Sequence, residues 1–272
     1  MDLIGFVKLT RPVNCLMASI AVLAGFAVSS GSIFPSAPVL FAMAAAFLVC
    51  GAGQTINDYF DHKIDLVLHP DRPIPSGNVK HYDALIFALL LFIAGNWLAA
   101  QVNYVAFAIA AALSVLLFVY SAFMEKFKYL GNWVVALGTA LTLVFGAAIT
   151  KNFYAVSFLA ALALFSNVGR EITKDFEDAE KGEKGKVTLP GLIGKKAKLV
   201  VLALFFAAIA LSYYVFFAGI FGNLVYLSVV SFANLAFLYA FFLLRKNSFE
   251  NAQKFCKIGM LLALASFFAG AI

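Results

Sequence analysis

The chain has 272 residues, of which 63% are hydrophobic and 12% charged. A soluble domain averages about 45–50% apolar and about 25% charged, so a soluble globular protein is excluded. The formal charge of +6 would suit nucleic acid, but the basic residues collect at the ends of apolar segments, where membrane topology places them, and nucleic acid is not an expected partner.

Apolar runs long enough to cross a bilayer recur from Val13 to the C-terminus and read as spanning helices. They predict an all-α membrane fold of nine transmembrane helices, at about 13–31, 36–58, 82–101, 103–122, 132–150, 153–174, 197–218, 221–244 and 254–272. Lys8 and Arg11 precede the first run in the manner of a signal peptide, but further spans follow at once, so it is expected to be a first transmembrane helix. Between spans, 29–37, 100–103 and 218–223 carry no charge.

Helix 2 runs into Asn57-Asp58-Tyr59-Phe60-Asp61-His62-Lys63-Ile64-Asp65. Asn57, Asp61 and Asp65 are spaced by four, so on a helix they share one face. Acceptor side chains on one stripe repel each other unless a cation neutralises them, and carboxylate and amide oxygens suit a hard ion such as magnesium. Helix 6 runs into Arg170–Asp178, where Glu171, Asp175 and Asp178 again share a face. Ionisable groups at transmembrane segments point to function. The opposing reading, two solvated helix ends paired with nearby lysines, suits Asp58, Glu177, Glu180 and Glu183, which point off the stripes.

Basic residues surround both clusters: Arg11, Arg72, Lys126, Lys128 and Lys174. Magnesium with Lys and Arg is what a diphosphate leaving group requires, because charge develops on its bridging oxygen. His62, His69 and His81 form no metal-binding spacing and read as solvated loop residues. Cys15, Cys50 and Cys256 form no CxxC pair and read as small packing residues.

Nineteen of the twenty Lys and Arg fall on one side of the nine spans, with Lys151 alone opposite. Positive residues stay in the cytoplasm, which predicts an N-terminus inside and both acidic clusters at the cytoplasmic face of the cell membrane. The chain reads as one domain, 1–272. Helices 2 and 6 lead into similar segments, Arg72–Gly77 after the first and Lys186–Gly191 after the second, a hint of a repeat of helices 1–4 in helices 5–8.

At these residues the chain resembles the UbiA superfamily of intramembrane prenyltransferases. Asn57, Asp58, Asp61 and Asp65 match the family's Asn-Asp-x-x-Asp-x-x-x-Asp motif, and Arg72–Gly77 its Arg-Pro-Ile-Pro-Ser-Gly segment. Glu171 and Asp175 match the second motif, with Glu in place of the more usual first Asp. Thr10–Asn14 and Arg170–Asp178 are most similar to the archaeal branch that moves a geranylgeranyl group onto a glycerol-phosphate ether.

The resemblance implies nine helices around a central cavity, with a cytoplasmic cap over the metal site. Two Mg2+ ions, held by Asn57, Asp61 and Asp65 and by Glu171, Asp175 and Asp178, would grip a prenyl diphosphate. Arg72, Lys126 and Lys174 would neutralise it, with Asp61, Asp175, Lys126 and Lys174 essential to catalysis. Arg11, Asn14 and Tyr120 are further substrate-binding candidates; Tyr59 and Tyr120 could face a developing allylic cation. The acceptor is expected to be lipid-like, its phosphate met by Arg11 or a lysine of the 6–7 connection, and no protein partner is implied. A prenyltransferase for an aromatic quinone precursor would share every metal residue. A transporter is the reading from another class, against which stands the placement of all the acids at one face rather than at mid-membrane.

Overall fold

A computed structural model describes residues 2–124, 127–182 and 186–271 of the chain. These residues form helices and connections with no strand: α1 (Leu3–Thr10), α2 (Pro12–Ser30), α3 (Ala37–Leu68), α4 (His81–Val102), α5 (Tyr104–Val119), α6 (Lys128–Ala147), α7 (Tyr154–Glu180), α8 (Leu189–Ile193), α9 (Ala197–Phe217), α10 (Leu224–Arg245) and α11 (Phe249–Ala271). Among the described residues, nine helices are long and apolar enough to cross a membrane, which makes the protein a multi-pass membrane protein.

Local chemistry sets most helix ends. Asn103 and Asn223 cap α5 and α10 through side-chain oxygens that accept from the N–H groups of Ala106 and Tyr226, at 2.9 and 2.6 Å. Ser36 begins α3 with a proline at its first turn, where the missing N–H costs nothing. Between α1 and α2, Arg11 takes a left-handed conformation, φ 49°. Pro12 follows it and disfavours the helical region for the preceding residue, so the chain breaks there and a short helix precedes the first span.

Two of the predicted helices prove longer than their apolar cores. Helix 2, expected to end near residue 58, continues to Leu68, and helix 6, expected to end near 174, continues to Glu180. Both acidic clusters therefore lie on regular helix. The apolar period fades at Asn57 and at Arg170, which is why a hydropathy reading stops short.

The chain forms two compact units, Met1–Leu23 with Pro35–Glu125, and Ala24–Phe34 with Lys126–Ile272. In the first, α3 packs along α4, and α1 rests on α3. The residues that α4 buries are mostly small (Ala84, Ala88, Gly95 and Ala99), while Ile86, Leu90, Ile93 and Trp97 are exposed. That pattern belongs to a helix whose outer face meets lipid and whose inner face allows close backbone approach.

In the second unit α7 packs against α6, α9 and α11, and α10 against α11. Val168, Ile172, Val201, Phe205, Phe237 and Leu244 form its buried core. Phe205 lies so close to α7 that a Cβ on Gly169 would stand 2.4 Å from its ring; glycine is required there by contact. This places a tight packing contact two residues from Glu171. The cysteines are free thiols, Cys15 and Cys256 buried and Cys50 half-buried.

Candidate active site

The first acidic cluster occupies the polar end of α3. Asp58, Asp61 and Asp65 are each under 5% exposed, and carboxylates so enclosed require partners. Asn57 donates through Nδ2 to Asp61 Oδ2 at 2.9 Å. Arg72 donates to Asp65 Oδ2 at 2.5 Å and stands 3.6 Å from Asp58 Oδ1. Arg11 donates to Asp58 Oδ1 at 2.6 Å and to Gln54 Oε1 at 2.7 Å. The break at Arg11 thus has a use: it turns a guanidinium from the start of α2 onto α3.

The loop after α3 is held by its own backbone and by packing. Ser76 N–H donates to the Arg72 carbonyl at 2.9 Å, and Val79 N–H to the Pro73 carbonyl at 2.9 Å. Gly77 adopts φ 79°, a conformation that favours glycine. Ile74 and Val79 pack with Leu9 and Ala84, which ties the Arg72 loop to α1. Both arginines of the cluster are therefore delivered by one small apolar knot.

Asp58, which helical spacing sets off the stripe, is buried and is the hub that both arginines reach. Asn14 is exposed, and its backbone N–H donates to the Arg11 carbonyl at 2.9 Å; the described contacts do not bring its side chain to the cluster. Tyr120 is half-buried at the start of a π-helical turn, Tyr120–Met124, a feature that recurs at functional sites. The Tyr59 ring is stacked on His81, with centroids 4.1 Å apart, so one of its faces is already covered. His81 is no solvated loop residue: it opens α4, half-buried, with Nε2 donating to the Tyr59 carbonyl at 2.9 Å. Lys126 lies outside the described residues.

The second cluster lies on α7. Asp175 is 0% exposed and Glu171 is buried beside it along the helix, while Asp178 is half-buried. Asn132 of α6 donates through Nδ2 to Asp175 Oδ2 at 2.7 Å. Lys128, one turn earlier on α6, donates to Asp178 Oδ2 at 2.5 Å and stands 3.4 Å from Asp175 Oδ1. Glu171 pairs with Arg170, whose carbonyl accepts from Gln253 Nε2 of α11 at 3.1 Å. Glu177 pairs with Lys181 at 2.5 Å on the outer face, as its position off the stripe predicts.

Lys174 stands at the exposed edge of this cluster. Its side chain is 46% exposed and stands 3.9 Å from Asp178, whereas that of Lys128 is 12% exposed. A lysine at i, i+4 on an exposed face makes a weak pair, while Lys128 is aimed inward from a neighbouring helix. Asn132 carries no sequence signal of its own: an isolated asparagine in an apolar helix. Only its spacing of four from Lys128 puts the two on one face of α6.

The donor chemistry of both clusters fits magnesium. All the candidate ligands are oxygen, and no cysteine is among them. Among the described residues no three His, Cys, Asp or Glu side chains come together as a ready-made cage. That suits an ion that takes one or two carboxylates and completes its shell with water and substrate phosphates.

Comparison with known proteins agrees with this chemistry. The profile of the UbiA prenyltransferase family matches residues 18–267. A digeranylgeranylglyceryl phosphate synthase of Methanothrix thermoacetophila is 37% identical over 97% of both chains, and one of Methanosarcina mazei 38% identical over 97% of both. A solved structure concerned with digeranylgeranylglyceryl phosphate synthase in membranes superimposes with a TM-score of 0.86 at 34% identity, over 100% of this chain and 99% of the other. A UbiA homologue from Archaeoglobus fulgidus, bound to GPP and Mg2+, has the same fold, with a TM-score of 0.74 at 21% identity over 98% of this chain and 99% of its own. The chain is a member of the UbiA prenyltransferase family.

Proposed function

We propose that the protein transfers a geranylgeranyl group from geranylgeranyl diphosphate to the hydroxyl of geranylgeranylglyceryl phosphate, with magnesium, in the synthesis of archaeal ether lipids. The observation that carries the choice of substrates is the near-full-length likeness to digeranylgeranylglyceryl phosphate synthases, 37% identical over 97% of both chains. The chemistry is carried by buried carboxylates on α3 and α7, among them Asp65 paired with Arg72 and Asp175 with Lys128 close by.

Asn57, Asp61 and Asp65 would hold one magnesium ion and Glu171, Asp175 and Asp178 another. A metal held there would draw electron density from the diphosphate oxygens and make the diphosphate a better leaving group. Arg72 and Lys128 bind and neutralise the phosphate oxygens as the allylic C–O bond breaks and pyrophosphate leaves with the electron pair. Lys174 would add positive charge at the edge of the second cluster, and Lys126 keeps the role that the family resemblance implies for it. Tyr120 offers a ring face to the allylic carbon as positive charge develops. The acceptor hydroxyl then forms its C–O bond to the prenyl carbon and loses its proton. Arg11, fixed by Gln54 and Asp58, orients the acceptor phosphate. Apolar surroundings of the prenyl chain would exclude water, which would otherwise quench the cation.

The whole chain would work as one domain in the cell membrane, with its N-terminus and reactive face cytoplasmic, as the charge asymmetry favours. The deciding experiment gives purified protein labelled geranylgeranyl diphosphate with and without magnesium, and either geranylgeranylglyceryl phosphate or 4-hydroxybenzoate. Magnesium-dependent pyrophosphate release with a labelled digeranylgeranyl ether is the expected result. Product with 4-hydroxybenzoate alone would reassign the protein to the quinone branch.

A further inference from the structure

The second unit carries a cationic groove at one end of α9 and α10. It has a volume of about 450 Å³ and is lined by Lys195, Lys198, Leu199, Leu202, Phe241 and Arg245. None of these residues is needed to bind metal or diphosphate in the reaction above.

Lys198 is fixed in place. Its Nζ donates to the Leu244 carbonyl and to Asn247 Oδ1, both at 2.7 Å, and lies 5.5 and 5.4 Å over the rings of Phe176 and Phe249. Lys195 and Arg245 make no salt bridge among the described residues, and the charges of both bear on Lys198. Like charges drawn together repel. Topology asks only that Lys and Arg lie at a membrane boundary; it does not ask them to converge on one groove.

The apolar lining supplies the second half of the chemistry. Lys195 lies in the 3-10 turn Gly194–Lys196 just before α9, Leu199 and Leu202 stand three residues apart on α9, and Phe241 lies one turn from Arg245 on α10, so cations line one end and apolar side chains lead from them along the spans. Leu199 is 62% exposed. This polarity matches a lipid with an anionic headgroup, and basic pockets between transmembrane helices do bind such headgroups.

We infer that the groove binds an anionic phospholipid of the surrounding membrane, its phosphate held by Lys195 and Arg245 with Lys198 behind them, and its chains along Leu199, Leu202 and Phe241. An acidic peptide would satisfy the cations but leave the apolar wall unused.

The test uses full-length protein stripped of lipid in neutral detergent, with native mass spectrometry and thermal midpoints as readouts. Phosphatidylglycerol, phosphatidylcholine, inorganic phosphate and an acidic peptide are added in separate arms. We expect one tightly retained phosphatidylglycerol and a raised midpoint, with phosphatidylcholine at least tenfold weaker and neither phosphate nor peptide competing. The double variant Lys195→Ala/Arg245→Ala should lose at least tenfold in phosphatidylglycerol retention while pyrophosphate release is kept. Lys195→Arg/Arg245→Lys should retain the lipid. If the alanine pair fails to fold, the lipid selectivity of the wild type and of the conservative pair decides. Equal retention of the two lipids, unchanged retention by the alanine pair, or displacement by phosphate or peptide would each overturn the assignment.

Discussion

Asp175 is enclosed on α7 with Asn132 bonded to one carboxylate oxygen and Lys128 close to the other. A carboxylate so placed cannot reorient, which is the condition for holding a metal in a single geometry. Replacing Asp61 or Asp175 by Ala should lower turnover by about a thousandfold or more, as removal of a central electrostatic group does, with the helical spectrum and detergent stability kept. Near-normal activity of both variants with magnesium would remove the basis for the metal assignments. Asn132→Ala leaves every proposed ligand in place and should weaken magnesium dependence by about 10–100-fold, the usual effect of losing a partner that orients a ligand; a titration of activity against magnesium reads this directly. The lysines make a sharper contrast. Lys128→Ala should cost far more in kcat/KM than Lys174→Ala, because only Lys128 is directed at both Asp175 and Asp178; equal losses would contradict that ranking.

At the scale of elements, the candidate ligands stand where apolar spans run on into polar helix. The extension of α3 to Leu68 and of α7 to Glu180 keeps the acids in helical register, which loops of the same residues would not do. Each is then fixed from the side, α3 by Arg11 and Arg72, which the knot of Leu9, Ile74, Val79 and Ala84 positions, and α7, just before its polar end, by Phe205 seated on Gly169. In a membrane this fixing comes from close van der Waals contact rather than from excluding water. Gly169→Val should therefore displace Phe205 and destabilise the unit by about 1–3 kcal/mol, as overpacking does. The measurement is the thermal midpoint in detergent, with Gly138→Val as the control, because a Cβ at Gly138 meets nothing within 4 Å.

For the whole molecule, nine long apolar helices account for most of the described residues, and the charge distribution predicts the orientation. Lys151 lies on one side and the other nineteen Lys and Arg on the other in the nine-span reading. In a cysteine-free background, Lys181→Cys should react with an impermeant thiol reagent only from the cytoplasmic side and Lys151→Cys only from the opposite side. Labelling of both from one side would refute the topology and the cytoplasmic placement of the reaction.

The class of fold, the number of spans and the two acidic stripes were legible in the residues alone, because hydropathy and a spacing of four are local properties that any helix expresses. Partnership was not. That Asp58 joins Arg11 and Arg72, that Asn132 orients Asp175, and that Lys128 rather than Lys174 approaches Asp175 depend on which helices lie side by side. Asn132 and Asp175 are 43 residues apart and Arg11 and Asp58 are 47, and no periodicity links residues at such separations. Helical repeat tells which side chains share a face; only the packing of one helix on another determines what that face meets.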